Sequence, residues 1–296
     1  PSKGVHVILE KKRLPVEDAV VMSTRTDKRI VFVIPRHEMV ILGTTDTDFS
    51  GDPADVHTDA GDVDYIVEVA KRYFPGAKLT RDDFISSYAG VRPLVADDAS
   101  TESGTSREHL IIADPRNVTF VAGGKYTTYR HMGEQTINTA LKNFSLEERV
   151  RFGRNDTKTP LNPAASPSNL ERARRMTQCW SDETPFFSEK DVAFLVGRHG
   201  MEAEKLLEFA TKNKIENIWE LEASFAINQT MCLALDDFYL RRVPLFLTRR
   251  DHGLSEAPRI ARYFANAFSW TDNELAENLK KIQNHIRHEL SWQSTS

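Results

Sequence analysis

A glycine-rich run with a lysine and two threonines is the strongest chemical signal in the sequence. The run reads Gly123-Gly124-Lys125-Tyr126-Thr127-Thr128. It follows an apolar stretch, Val118 to Ala122, that predicts a strand, and it leads into a periodic stretch, Tyr126 to Phe144, that predicts a helix. Glycines at such a turn let a ligand approach the backbone, and the amides at a helix start favour negative charge. The run predicts a site for an anionic group, although an ordinary strand-to-helix turn can also carry glycine.

One histidine and two arginines in the first half are further candidates. His6 is the side-chain type best suited to move a proton near neutral pH. Arg92 and Arg107 each carry a planar guanidinium that matches phosphate in a bidentate manner. The run Gly43-Thr44-Thr45-Asp46 ends a predicted strand with two hydroxyls and a carboxylate. Taken singly, each feature also has a structural interpretation, as a core histidine, a surface ion pair or a hydrogen-bonded turn.

The elements that must position these residues form a mostly antiparallel sheet with few helices. The candidate strands are Val5–Glu10, Ala19–Ser23, Ile30–Ile34, Met39–Gly43, Phe84–Gly90, Leu110–Ala113 and Val118–Ala122. The continuously apolar run Ile30–Ile34 is typical of a strand covered on both faces. A helix whose apolar face runs from Tyr65 to Phe74 is predicted, with Asp62 as its cap. This mixture predicts an α+β domain over residues 1–155.

The second half of the chain predicts an all-α domain over residues 168–296. A stretch from Asn155 to Asn169 holds three prolines and several small polar residues, which is typical of a linker. Strand patterns vanish after it, and apolar residues recur at spacings of three and four. Thr271-x-x-Glu274 adds the capping box that begins a helix.

Composition limits the classes of protein that remain. The 296 residues are 40% hydrophobic and 28% charged, and the net charge of −4 argues against a nucleic-acid binder. No stretch is apolar enough to span a membrane. Cys179 and Cys232 are interpreted as buried thiols in a reducing compartment. The chain begins at Pro1, and a predicted strand starts only a few residues later. The sequence shows no signal peptide and no G-x-G-x-x-G turn after an early strand. We therefore expect that residues preceding Pro1 have been cut away.

Taken in order, these motifs resemble those of the FAD-dependent glycerol-3-phosphate dehydrogenases, flavoproteins that feed electrons to the respiratory quinone pool. The similarity is close over roughly the first 135 residues and looser across the helical half, where Asp237 to Arg242 is an example. The motifs that carry it are Lys3–His6, Asp27–Pro35, Gly43–Asp46, Gly51–Pro53, Ser87–Leu94, Ser106–Glu108 and Gly123–Arg130.

The resemblance implies oxidation of sn-glycerol 3-phosphate to dihydroxyacetone phosphate, by hydride transfer from carbon 2 to FAD, with a membrane quinone as the electron acceptor. It implies that His6 is the base or a substrate hydrogen-bonding group. Arg92 and Arg107 are assigned to phosphate binding and alkoxide stabilisation, without a decision on which does which. Lys125 is assigned to the boundary between substrate and flavin, and Gly123–Thr128 to the pyrimidine edge of the flavin.

The resemblance also implies that the chain is the back portion of a longer protein. Roughly the first third to two-fifths of the family's length, including most of the FAD site, would be missing. The isolated chain is therefore expected to be catalytically inactive. The full-length protein is expected to be cytoplasmic, to sit peripherally on the inner face of the cytoplasmic membrane, and to be a candidate homodimer.

Two other functions stay open. Glycerophosphate oxidases, which pass electrons to oxygen, resemble this family and carry a long insertion between the Arg92 and Arg107 motifs. The short connection from Val95 to Thr105 favours the dehydrogenase. The other alternative is a non-catalytic module that binds substrate or another protein.

Two further features in the helical half are interpreted as structural. His285 and His288 lie three apart, but no carboxylate or cysteine partner is evident nearby, so we predict a solvated helix face and no metal site. The apolar stretch Val243–Leu247 lies between two arginine pairs and could contact anionic lipid. A packed helix with charged ends is the favoured interpretation.

Overall fold

The computed structural model describes residues 1–24, 29–92, 108–152, 162 and 165–294. The predicted site residue Arg107, residues 27–28 and most of the predicted linker lie outside the described residues. The strands are β1 Ser2–Glu10, β2 Val20–Ser23, β3 Ile30–Arg36, β4 Met39–Gly43, β5 Thr47–Asp48, β6 Phe84–Arg92, β7 His109–Asp114 and β8 Val118–Gly123. The helices are α1 Ala60–Tyr73, α2 Tyr129–Ala140, α3 Leu146–Phe152, α4 Pro167–Glu183, α5 Glu189–His199, α6 Glu202–Asn213, α7 Ile218–Gln229, α8 Leu235–Asp237, α9 Leu245–Thr248, α10 Ala257–Phe268 and α11 Asp272–Glu289.

An antiparallel sheet organises the first half of the chain. Within the described residues it has six strands in the order β2-β3-β4-β1-β5, and β6 pairs with β1 as well. Strand β1 is central, because Val7 lies opposite Leu42 of β4 and opposite Ser87 of β6. The predicted α+β class, with a mostly antiparallel sheet followed by helices, is confirmed.

Strand β3 is covered on one face only in the part of the chain that the structure describes. Val31 and Val33 are fully buried, whereas Ile30, Phe32 and Ile34 are 50%, 40% and 39% exposed. The prediction that both faces are covered is therefore wrong for the described residues. The buried face packs into the core that the sheet shares with α1. A continuously apolar run does not indicate what lies against the other face of the strand.

Helix α1 begins earlier than the sequence indicated. Asp59, not Asp62, is the N-cap, and Asp62 is the third helical residue of a capping box that both carboxylates complete. The Lys3 Nζ lies 2.6 Å from a carboxylate oxygen of each. Burial works to lower the pKa of Lys3, but these two carboxylates outweigh it and raise the pKa. Lys3 therefore links β1 to the start of α1 through two ion pairs.

Strands β7 and β8 form a separate two-stranded sheet, and α2 packs on it. None of the described residues in these three elements is buried, and Leu110, Ile112 and Phe120 are between 44% and 50% exposed. Helix α2 begins at Tyr129 after a 3₁₀ turn over Tyr126–Thr128, so the predicted helix starts three residues too early. The apolar side chains of this unit are thus left partly exposed by the described residues.

The helical half contributes to two cores. A smaller core holds residues of α4, α5 and α6. The larger core runs from Val7 in the sheet to Phe264 in α10 and Ile286 in α11. The indole Nε1 of Trp292 donates a hydrogen bond of 2.9 Å to Ser87 Oγ in β6. The sheet and the last helices thus share one hydrophobic interior, and the domain division between residues 155 and 168 stays a prediction.

The apolar stretch Val243–Leu247 is part of the protein interior. Val243, Leu245 and Phe246 are buried in the larger core, as expected for a packed segment with charged ends. None of the helices that the structure describes is long and apolar enough to cross a membrane.

The two cysteines are both free thiols, but only one matches its predicted burial. Cys232 is buried, and burial raises the pKa of its thiol to about 11. Cys179 is exposed, so the prediction of a buried thiol is wrong there. It lies on the outer side of α4, whose buried residues are Ala173, Thr177 and Trp180.

Candidate functional site

The pairing of three strands brings His6 and Arg92 to the same face of the six-stranded sheet. His6 lies opposite Gly43 of β4 on one side and opposite Tyr88 of β6 on the other. Arg92 lies opposite Ser2, and its side chain extends along β1 toward the histidine. Residues at every second position of a strand share a face, so these groups form one cluster.

His6 has the properties of a neutral proton acceptor. Its ring stacks on Tyr88, with ring centroids 4.8 Å apart and planes inclined by 14°. Burial, assisted by the positive charge of Arg92, lowers the pKa of His6 to about 4. The imidazole is therefore uncharged near neutral pH and has a lone pair available for a proton.

The guanidinium of Arg92 is fixed by acceptors from its own chain. Its Nη1 donates to Asp46 Oδ1 at 2.9 Å and to Ser2 Oγ at 3.2 Å. Its Nη2 donates to Thr44 Oγ1 at 3.0 Å and to the Thr45 carbonyl at 2.9 Å. The run after β4 thus supplies most of the acceptors, and the cationic group is held in one place beside the histidine.

Two glycines leave the space that these side chains occupy. A Cβ on Gly43 would lie 2.4 Å from His6 Cδ2 and 2.8 Å from the Val5 carbonyl oxygen. A Cβ on Gly4 would lie 2.5 Å from Arg92 Nη2. Both distances are far shorter than any ordinary van der Waals contact, so an added methyl group at either position must displace a residue of the cluster.

Gly43→Ala should destabilise the full-length protein by about 1–3 kcal/mol, because overpacking against His6 and the Val5 carbonyl forces the strand to shift. Gly90→Ala is the matched control, since a Cβ there meets nothing within 4 Å. Denaturant unfolding of both variants measures the difference. Equal free energies of unfolding for the two variants would contradict this packing argument.

The glycine turn has the backbone conformation that only glycine adopts readily. Gly123 and Gly124 have φ angles of 70° and 85°, and a Cβ on Gly124 would lie 2.5 Å from Met132 Cε. Gly123 and Gly124 are half-buried, whereas the residues that follow are exposed, Tyr126 to 92%. Lys125 and Thr127 belong to this turn after β8, whereas His6 and Arg92 lie on the six-stranded sheet. The described site residues therefore fall into two groups.

Two members of the cluster, Tyr88 and Asp46, carry no role in the sequence predictions. Tyr88 lies four residues before Arg92 in β6, which places the two on one face, but the predicted strand ends at Gly90 and does not include Arg92. The stacking of Tyr88 on His6 depends on the pairing of β1 with β6. Asp46 forms an ion pair with Arg92, which lies 46 positions later in the sequence. No local sequence pattern indicates this pair.

Two family models match the chain. The model described as FAD dependent oxidoreductase matches residues 1–130, and that of the C-terminal domain of alpha-glycerophosphate oxidase matches residues 158–275. Together the two models cover most of the chain, with an FAD-dependent oxidoreductase region followed by a C-terminal region like that of alpha-glycerophosphate oxidase. The resemblance found in the sequence motifs is confirmed.

Alignments with named relatives cover nearly the whole chain. An aerobic glycerol-3-phosphate dehydrogenase of Staphylococcus saprophyticus is 25% identical over 289 residues, covering 95% of this chain and 52% of the relative. Glycerol-3-phosphate dehydrogenase 2 of Mycobacterium bovis is 29% identical over 304 residues, 96% of this chain and 49% of the relative. An alpha-glycerophosphate oxidase of Streptococcus pyogenes is 27% identical over 337 residues, 93% of this chain and 54% of the relative.

A solved structure supports the same assignment of fold. The glycerol-3-phosphate dehydrogenase from Bacillus halodurans, complexed with FAD, superposes with a TM-score of 0.75 at 26% identity. The match covers 97% of this chain and 56% of that one. The chain therefore spans about half the length of the relatives it matches, and the uncovered share is larger than the predicted third to two-fifths.

Proposed function

We propose that this chain supplies the substrate-binding sheet and helical region of an enzyme that oxidises sn-glycerol 3-phosphate to dihydroxyacetone phosphate. FAD, when bound, accepts the two electrons of this oxidation. The observation that carries the proposal is the pair formed by a neutral, half-buried His6 and a fixed Arg92 on one face of the sheet. Relatives named as glycerol-3-phosphate dehydrogenases and oxidases support the choice of substrate.

His6 is the proposed acceptor of the substrate hydroxyl proton. Oxidation of a secondary alcohol requires loss of that proton as the carbon gives up its electrons, and a neutral imidazole is a suitable base. The lowered pKa of His6 keeps it in the accepting form at the pH of a cell. The stacked Tyr88 ring holds the imidazole plane in one orientation.

Arg92 is proposed to stabilise negative charge at the reacting oxygen, and Arg107 to bind the phosphate. Both Nη atoms of Arg92 already donate to acceptors of the chain, so a phosphate would have to displace them to be held in a bidentate manner. Its position beside His6 instead places a fixed positive charge next to the base. Of the two arginines, Arg107 is therefore the one proposed to bind the phosphate.

The turn Gly123–Thr128 fits the proposed role of contacting one edge of FAD. Its left-handed glycines keep side chains away from the exposed backbone, and Lys125 adds a positive charge beside it. Lys125 is proposed to lie where the cofactor and the substrate meet. The apolar faces of β3 and of the β7–β8 pair would be covered by the remaining half of the protein.

A membrane quinone is the proposed electron acceptor, and oxygen is the alternative. The alignment with the streptococcal oxidase extends over 337 residues, whereas those with the staphylococcal and mycobacterial dehydrogenases extend over 289 and 304. This is the pattern expected if an insertion present in the oxidase is absent here. Peripheral attachment to the inner face of the cytoplasmic membrane and a homodimer belong to the same proposal.

Full-length protein supplied with FAD should reduce an artificial electron acceptor when glycerol 3-phosphate is added, without forming peroxide. The 296-residue chain, assayed alongside it, should neither retain stoichiometric FAD nor turn over, because half of the family's length is outside it. Dye reduction and oxygen consumption recorded in parallel distinguish the outcomes. Peroxide formation would favour the oxidase, and no reaction with either acceptor would favour a non-catalytic binding module.

A further inference from the structure

The fold gives His288 of α11 two partners that lie more than 200 positions away in the sequence, Asp55 and His57. The Nε2 of His288 lies 3.1 Å from Asp55 Oδ1, and the rings of His288 and His57 are 4.4 Å apart between centroids. One ligand atom from each of Asp55, His57 and His288 lies within 4.8 Å of the others. Two imidazoles and a carboxylate are the donor set of many sites that bind Zn²⁺.

The loop that carries two of these side chains is ordered by its own hydrogen bonds. Asp52 caps the 3₁₀ turn Pro53–Asp55 by accepting from the Ala54 amide at 2.9 Å. His57 Nδ1 lies 2.9 Å from the Asp55 carbonyl oxygen. A carbonyl can only accept, so Nδ1 carries the proton and Nε2 keeps its lone pair. A histidine that binds a metal through one ring nitrogen usually donates the N–H of the other nitrogen in this way, and that hydrogen bond orients the ring.

The separations and the exposure also suit an ion. Bonds of about 2.0–2.1 Å in a tetrahedral shell place neighbouring ligand atoms about 3.3 Å apart, close to the 3.1 Å between His288 and Asp55. The side chains of Asp55 and His288 are 75% and 40% exposed, so an ion and a completing water can reach them. A carboxylate oxygen of the neighbouring Glu289 is buried without a hydrogen-bond partner among the described residues.

We propose that Asp55, His57 and His288 bind a divalent transition-metal ion of the Zn²⁺ type, which ties the loop before α1 to the last turn of α11. Zinc would then cross-link the sheet region to the C-terminal helix at a place distinct from the His6 and Arg92 cluster. Because the ligands come together only in the folded chain, metal binding should stabilise the fold.

The test uses the full-length protein, freed of metal by a chelator and titrated with Zn²⁺. One equivalent should bind and raise the Tm by several degrees, and Co²⁺ in its place should give the absorption of a tetrahedral site. Mg²⁺, which prefers oxygen ligands in octahedral geometry, should have no effect. His57→Gln and His288→Gln should each weaken Zn²⁺ binding by at least about tenfold.

His131→Gln is the matched control, since His131 is an exposed histidine of α2 outside the cluster. Asp55→Asn keeps the shape of the third ligand and serves if a histidine variant folds poorly. Retention of the Zn²⁺ effect in the His57 and His288 variants, its loss in the His131 control, or no stabilisation of the unaltered protein would each overturn the proposal.

Discussion

Arg92→Ala in the full-length protein should lower kcat/KM for glycerol 3-phosphate by about 10²–10³-fold, because a fixed positive charge beside the developing oxyanion is removed. The decrease should fall mainly on kcat, because the proposed role of Arg92 is at the reacting oxygen. Arg107→Ala, the comparison variant, should act mainly by raising KM. Steady-state kinetics with a dye acceptor separates the two parameters.

The same substitution should shift the acid side of the pH profile. Arg92 helps to lower the pKa of His6, so its removal raises that pKa and the histidine becomes protonated at a higher pH. Activity of Arg92→Ala should therefore begin to fall at a higher pH than in the unaltered protein. Arg92→Lys restores the charge without the planar fork, and should recover the pH profile more fully than kcat. Near-normal kcat in Arg92→Ala would rule out the proposed role.

His6→Gln should reduce kcat by about 10²–10⁴-fold, the usual contribution of a positioned general base. The unaltered protein should hold its kcat/KM from neutral pH down to about pH 5 and lose it toward pH 4, where the imidazole with its pKa of about 4 takes up a proton. The variant should lack this transition. The measurement is kcat/KM across the range in which the protein stays folded.

A control separates the chemical role of His6 from its packing. Tyr88→Phe keeps the stacked ring and removes only a hydroxyl, so it should leave the pH transition of His6 in place. If His6→Gln retained both its rate and the transition near pH 4, another group would have to be the base.

The sequence was sufficient for the strands and the order of motifs, but not for their mutual placement. Predicted strands such as Met39–Gly43 match the structure because alternation and turn residues are local signals. The position of His6 between Gly43 and Tyr88 depends on β1 pairing with both β4 and β6, and such pairing joins residues dozens of positions apart. For the same reason, the partners of His288 were absent from the sequence prediction.

Errors at the ends of elements have local physical causes. Asp59 and Asp62 are both acceptable helix caps, and only the observed hydrogen bond from the Asp62 amide to Asp59 decides between them. The turn before α2 tightens into a 3₁₀ segment, which the periodic pattern from Tyr126 onward does not distinguish from an α-helix. The uncovered face of β3 depends on parts of the molecule that the strand's own residues do not encode.

The hydrophobic interior that joins the sheet to the last helices also bears on how this protein can change in evolution. Two family models divide the chain near residues 130–158, yet Val7, Phe264 and Ile286 pack in the same core across that division. Recombination between relatives at this boundary would pair a sheet from one parent with helices shaped for another. At identities of 25–29%, the core side chains of the two parents differ in volume and would not pack well in such chimaeras. We therefore expect the two halves to be inherited as a pair and their sequences to change together.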